Sequence, residues 1–312
     1  MPKILDDEFL RKIDRLILVS KKVRIGSIKG ERRSLKRGTS VEFADYRNYT
    51  AGDDLRQVDW NVYARLEKVF LKLFEEEEEL TVHILLDASR SMDWSGADLD
   101  FANEGQPFDI KPKYNKLLYA KKTAAALCYM ALAALDRVTI TGLGASGDQN
   151  ETRFPLTRGK NQTVRMLRYL ENLRSGGSNN LEAEMKTYAK QARYTGLLVI
   201  ISDLLAPGGV FEGIKALQGV GFEVMILHVL APDEVNPEVR GDVRLVDVET
   251  GEQQEVSIDA GAIELYRQEF VKWQNEIYNF CQRRGINYIQ VETSLPFDEL
   301  VLHYMRQRGL VA

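Results

Sequence analysis

Cysteine is almost absent from this chain. Cys128 and Cys281 lie far apart, each in a helix-like stretch, with no CxxC pair and no zinc-ligand spacing. That excludes a disulfide framework and a structural zinc site, and it suits a reducing compartment. Each thiol reads as a small buried hydrophobe. Histidine is also scarce: His83, His228 and His303 are the full set, and none sits in a loop that would carry the base of a serine triad. No apolar run reaches the ~20 residues of a membrane-spanning helix, and the N-terminus lacks a signal-peptide core. A cytoplasmic protein with no transmembrane segment is expected. Net charge is only −4 over 312 residues, so no strong global field invites nucleic acid.

Charge is nevertheless uneven. Residues 1–40 hold twelve Lys/Arg against five Asp/Glu. Such an arm could be a handle for an anionic lipid, nucleic acid or acidic protein face, or a solvated segment lying on the acidic remainder of the chain. Aromatic residues that would stack on bases are not interleaved there, which favours the solvated segment.

The rest of the chain alternates between two periods. Phe9, Leu10, Ile13, Leu16 and Ile17 recur at helical spacing behind Asp6 and Asp7. Short strand-like pieces follow to Phe74, ending in Val69–Phe74. Then come buried-strand runs at 82–86, 138–143, 197–201, 222–229 and 287–291. Between them lie helical stretches at 114–135, 162–173, 181–192, 210–217, 263–283 and 297–307. Such alternation predicts an α/β fold with a doubly wound, mainly parallel sheet. Val243–Val248 and Gln254–Ile258 interrupt it as a hairpin inserted at about 232–260, expected at the sheet edge. The predicted organisation is a small N-terminal β-containing domain with the first helix and basic arm, 1–78, and an α/β domain, 79–312.

Chemistry concentrates after the first buried strand. The run Val82–Leu86 ends in Asp87, Ser89 and Ser91, one carboxylate and two hydroxyls at alternate positions. Open α/β sheets place ligands just beyond the carboxyl ends of their strands. Oxygen-only donors suit a hard divalent cation, Mg²⁺ above all or Mn²⁺. The Asp-x-Ser-x-Ser spacing resembles the metal-ion-dependent adhesion site of von Willebrand factor A domains. That resemblance extends to Arg174-Ser-Gly-Gly-Ser-Asn-Asn-Leu181, similar to the family's Gly-Gly-Thr loop with Ser178 in the threonine's place. It also extends to Leu197–Asp203, a second apolar run ending in a carboxylate. The resemblance implies a metal site of Asp87, Ser89, Ser91, Ser178 and Asp203. In it hydroxyls ligate directly, aspartates act largely through waters, and one position stays open for a partner's carboxylate. Without the resemblance, Ser89, Ser91 and Ser178 could equally cap helices or turns.

A second signature precedes the metal strand. Arg33-Ser-Leu-Lys-Arg-Gly-Thr-Ser-Val-Glu-Phe-Ala-Asp-Tyr-Arg47, Asn48–Arg56, Gln57–Arg65 and Lys72–Glu76 resemble the bacterial domain-of-unknown-function 58 family, whose members carry a von Willebrand A-like domain. The likeness implies the soluble branch of that family and an association with a MoxR-type AAA+ ATPase. Within the signature, Gly52–Arg56 and Asp59–Trp60 read either as turn chemistry around a salt-bridged, buried Trp or as a docking surface with Arg and Trp anchors.

Rival motifs are weaker. Gly142-Leu-Gly-Ala-Ser-Gly147 spells GxGxxG, yet Asp148–Pro155 offers no helix to receive a pyrophosphate. A haloacid-dehalogenase-like phosphohydrolase with Asp87 as nucleophile wants an acid two residues on, where Ser89 stands. The expectation is a non-catalytic, Mg²⁺-dependent protein-binding module, an adaptor for a MoxR-type ATPase in chaperone or complex assembly. An acidic residue on a client protein would complete the ion's shell. The alternatives are a metal-dependent phosphohydrolase using the same pocket and a scaffold whose site no longer binds metal.

Overall fold

The computed structural model describes residues 4–20, 24–25, 32–33, 42–50, 53, 55–75, 80–93, 115–176, 180–206, 208–237, 239–247 and 252–311. Ser178, most of the basic arm, Gly52 and the acidic run after Glu75 lie outside that set. The chain forms two compact units, one of Met1–Leu18 with Leu80–Ala312 and one of Val19–Glu79.

Helix α1 (Asp7–Ile13), expected with the small N-terminal domain, belongs instead to the large unit. Asp6 caps it by accepting from the Phe9 amide at 2.6 Å. Its apolar face packs inward: Ile13 is fully buried, and the Phe9 ring sits 4.8 Å from Phe297. Those contacts outweigh sequence proximity to the residues that follow.

The smaller unit pairs β1 (Arg24–Ile25) with β2 (Arg32–Arg33), and β3 (Glu42–Asn48) with β4 (Phe70–Glu75), both antiparallel. A bulge between Phe43 and Asp45 shifts the second register. Helix α2 (Trp60–Leu66) starts at Asp59, whose Oδ1 accepts from the Asn61 and Val62 amides while Oδ2 accepts from the Tyr46 hydroxyl at 2.8 Å. Asp59 is buried and Trp60 is 59% exposed, so the buried member of that dipeptide is the carboxylate and not the indole. Arg47 pairs with Asp53 at 2.7 Å. The Thr50 hydroxyl and amide also donate to Asp53, and with the guanidinium they hold its carboxyl down at about 2.

The large unit is mixed α/β around a largely parallel six-stranded sheet of order β12–β9–β8–β5–β6–β7. Its strands are β5 (Thr81–Asp87), β6 (Arg137–Leu143), β7 (Arg153–Arg158), β8 (Leu197–Ser202), β9 (Glu223–Leu230) and β12 (Asn287–Glu292). Every residue of β5 and of β8 is buried, as continuous apolar runs require of interior parallel strands. Only β7 runs antiparallel. Its Pro155 breaks the strand signal in the sequence but is tolerated here because β7 is an edge. Strands β10 (Gly241–Val246) and β11 (Gln253–Ile258) pair from Gly241↔Ile258 to Val246↔Gln253. They form a sheet of their own; the expected place at the edge of the central sheet is taken by β12.

Helix α3 (Lys116–Ala133) crosses β5, β6, β8 and β9. Asn115 caps it through the Leu118 amide at 2.7 Å, and the small Ala124–Ala126 run lets it lie close to the strands. Short α4 (Gln149–Thr152) and α5 (Thr163–Asn172) follow, the latter against α3. Helices α6 (Leu181–Gln191), α7 (Phe211–Gly219) and α9 (Ala260–Arg283) share a core with Leu85, Leu198, Ile200, Val224 and Ile226. The one-turn α8 (Pro232–Val235) follows β9. The C-terminal stretch runs α10 (Phe297–Glu299), a π-helical segment Leu300–Tyr304, then α11 (Met305–Gln307).

Candidate functional site

Register brings Asp87, with Ser89 and Ser91 just beyond it, and Asp203 to one edge. Strands β5 and β8 pair in parallel with Leu86 opposite Ile201, and β8 and β9 with Ser202 opposite His228. Chains leaving these strands therefore emerge side by side. Asp87 and Asp203 are both almost fully buried there. Asp87 Oδ1 accepts from the Ser89 amide at 3.0 Å, and its Oδ2 accepts from the Ser202 hydroxyl at 2.5 Å. Burial, and then the nearby charge of Asp203, push the Asp87 carboxyl up to about 6.

Ser89 is buried and Ser91 half-buried, with their hydroxyl oxygens 2.9 Å apart. In an octahedron with Mg–O distances of about 2.0–2.1 Å, adjacent ligands stand about 2.9 Å apart. The pair thus matches one edge of a Mg²⁺ shell. Among the described residues, no three His, Cys, Asp or Glu side chains group as a metal site by themselves, so any ion here would have to draw on the hydroxyls. The donor set fits a hard divalent ion held by Ser89 and Ser91 with Asp87 behind them.

The second loop reaches the first through its backbone. Gly176 donates its amide to Ala88 O at 2.9 Å, and the Ser175 hydroxyl donates to Asp93 Oδ2 at 2.7 Å. Asp93 also accepts from the Asn115 amide nitrogen Nδ2 at 3.0 Å, so one carboxylate joins the first loop, the second loop and the cap of α3. On the far side of Ser178, Asn180 caps α6 through the Ala183 amide at 3.0 Å.

Asp203 is placed as expected but already engaged. Lys116, wholly buried at the first position of α3, donates to Asp203 Oδ2 at 2.7 Å and to Glu234 Oε1. Asp203 Oδ1 accepts from the Leu205 amide at 3.0 Å, and Glu234 Oε2 from the Ala231 amide at 2.8 Å. Burial alone would lower the Lys116 ammonium's pKa, but the two carboxylates outweigh burial and raise it. Burial raises Glu234 against the pull of the same lysine. A cation at a helix N-terminus opposes the helix dipole, so the carboxylates hold Lys116 there against that preference. With all four ionised, three carboxylates (Asp87, Asp203, Glu234) and one ammonium leave the cluster at −2.

His228 completes the wall. Its Nε2 lies 2.9 Å from Asp203 O, a carbonyl that can only accept, so Nε2 carries the proton. Nδ1 then accepts from the Tyr288 hydroxyl at 2.6 Å, and burial depresses the ring to about 4. Lys116, Glu234 and Ser202 were not singled out in the sequence, and His228 figured there only as one of three histidines outside any base-bearing loop. Ser202 had a readable signal, since it precedes Asp203 at the strand end. Lys116 and Glu234 are 118 positions apart and had none.

A family model described as "Protein of unknown function DUF58" matches residues 45–276. Uncharacterized proteins of Mycobacterium tuberculosis (Rv1480) and Mycobacterium bovis (Mb1516) are each 27% identical over 314 residues, spanning 99% of this chain and 93% of the relative. An uncharacterized Mycobacterium avium protein (MAV169) is 32% identical over 166 residues, 52% of this chain and 98% of its own length. Among solved structures, BatB of Bacteroides thetaiotaomicron is similar at 16% identity and TM-score 0.39, covering 74% of this chain and 98% of its own. An aerotolerance-related membrane protein of Bacteroides fragilis gives 18% identity and TM-score 0.39, covering 73% and 99%. Likeness at that level carries no conclusion about activity. Among the described residues, no helix is long and apolar enough to cross a membrane.

Proposed function

Because the chain belongs to the DUF58 family, whose function is unknown, we propose from the site itself that it is a non-catalytic, Mg²⁺-dependent protein-binding module. The observation that carries this reading is the Ser89–Ser91 hydroxyl pair, 2.9 Å apart beside buried Asp87 at the carboxyl edge of the sheet. A von Willebrand A-like, doubly wound arrangement of the large unit accords with it. Ser89 and Ser91 would hold the ion directly, Asp87 and Asp203 would stand behind it, and Ser178 would approach from the second loop. The bound ion would supply positive charge toward solvent, where a carboxylate of another protein is the natural hard ligand.

Catalysis by the same pocket has less support. Asp87 is almost fully buried and held by the Ser89 amide and the Ser202 hydroxyl, so its carboxylate is not presented to a substrate for attack on phosphorus. The partner class would be a MoxR-type AAA+ ATPase, as the resemblance of the signature between Arg33 and Glu76 implies, and the place of action the cytoplasm. Binding of such an ATPase to the full chain, measured with Mg²⁺ and with EDTA, tests the proposal. EDTA and the double change Ser89→Ala, Ser91→Ala are each expected to weaken the complex at least tenfold. Equal binding in all three conditions rejects the metal site as the docking point.

A further inference from the structure

The described members of the expected metal set divide unevenly. Ser89 and Ser91 have hydroxyls whose mutual contact leaves lone pairs for an ion, whereas each Asp203 oxygen already accepts a hydrogen bond and the carboxylate's charge is met by an ammonium. One is bonded to the Leu205 amide and the other to a buried ammonium. We infer that Lys116 is an internal counter-cation that stands in for part of the divalent ion's charge at Asp203, holding the site's own affinity low so that an outside carboxylate is required to retain the ion. The inference rests on the metal-dependent reading above and assigns Lys116 as the residue that sets its affinity.

The charge balance gives the direction. With Lys116 the cluster stands at −2, which a divalent ion brings to neutrality with Asp203 already paired. Without the ammonium it would stand at −3, and Asp203 Oδ2 would be open to the ion or its waters. Like charges in a site shielded from solvent repel strongly, since effective dielectric constants there are near 20, not 80. The lysine has no exposed atom through which to act on anything outside. Glu234 matters because it shares the ammonium: it draws Lys116 toward α8 and so sets how fully Asp203 is neutralised.

The test is Mn²⁺ binding by titration calorimetry on the full chain. Lys116→Met is expected to bind at least tenfold tighter than the wild-type chain. Glu234→Gln, which leaves the ammonium wholly to Asp203 and takes one negative charge away, is expected to bind several-fold more weakly. The double change Lys116→Met, Glu234→Gln restores the net −2 while freeing Asp203, and is expected to bind tighter than wild type. If neither lysine variant folds, the Glu234→Gln result decides, and an unchanged affinity there overturns the inference. Equal affinity in folded Lys116→Met and wild type also overturns it and leaves the metal-dependent reading standing. Binding in Lys116→Met with none in wild type upholds the inference, because the wild-type site alone is then too weak to retain the ion without an outside carboxylate. Absence of binding in every variant ends both.

Discussion

Gly176 donates its amide to the carbonyl of Ala88, and its Cα lies so near Gly144 that a Cβ would stand 2.1 Å from Gly144 O. The second loop is thereby fastened to the first at the one residue type that fits. Gly176→Ala is expected to destabilise the large unit by roughly 1–3 kcal/mol, because the backbone atoms it meets cannot rotate away. Gly219 closes α7 with open space, nothing within 4 Å, where a Cβ would stand. Gly219→Ala is therefore expected to be neutral or to stabilise by up to about 1 kcal/mol. Urea denaturation of the two variants beside wild type gives both numbers, and equal midpoints would contradict the close approach.

Divalent ions should stabilise the folded chain. A ligand that binds only the native state at a hundredfold excess over its Kd adds about 2.7 kcal/mol. Mg²⁺ or Mn²⁺ is expected to raise Tm in wild type, and Asp87→Ala to lose that increment. An increment that survives Asp87→Ala places the ion elsewhere.

Acid should destabilise the large unit through its buried imidazoles. Burial depresses both His83 and His228 to about 4, and in the core the Tyr188 hydroxyl meets His83 Nδ1 at 2.7 Å while Nε2 has no partner. A depressed imidazole pKa means the unfolded chain takes up the proton first. The contribution is complete above pH ~6.5 and is lost as pH falls toward about 4, by up to about 3 kcal/mol per ring. Asp87, raised to about 6, runs the other way, because its neutral form is the better fit to the fold. Stability measured from pH 7 to 4 is expected to fall less steeply in His83→Asn, which keeps an acceptor near Nδ1. A slope identical to wild type would show that His83 takes up its proton in the folded state as readily as in the unfolded chain.

Generic phosphomonoesters should not turn over above background with Mg²⁺, since Asp87, the carboxylate beside the hydroxyl pair, is buried and hydrogen-bonded instead of being presented for attack. Turnover that persists through several purification steps and vanishes in Asp87→Asn would make the protein a phosphohydrolase.

What the sequence disclosed follows from how far each residue's partner lies along the chain. Strands β5 and β8 were legible because interior parallel strands are apolar without interruption, and the polar residues ending them fix Asp87, Ser89, Ser91 and Asp203 at one edge. Strand β7 was not, because Pro155 suits an edge strand and no interior one. Lys116 was invisible: a lysine beside an Asn cap looks solvated until Asp203 and Glu234, 87 and 118 positions away, close on it. Trp60 misleads for the opposite reason. Its large apolar ring suggests burial, but the short helix it opens has no buried residue at all. Ser178 lies outside the described residues, flanked by Gly176 and Asn180.

The contacts Phe9–Phe297 and Leu18–Val311 tie the beginning of the chain to its far end. Part of the α1 surface is met by α3, and the rest is covered only when residues 297–311 dock, so closure of the large unit couples positions 288 and 293 residues apart (297 − 9 and 311 − 18). Residues 19–79 are then an insertion in the chain between two stretches of one folded unit. Truncation near Val311 should thus loosen the first helix, a lesion at one terminus read out at the other.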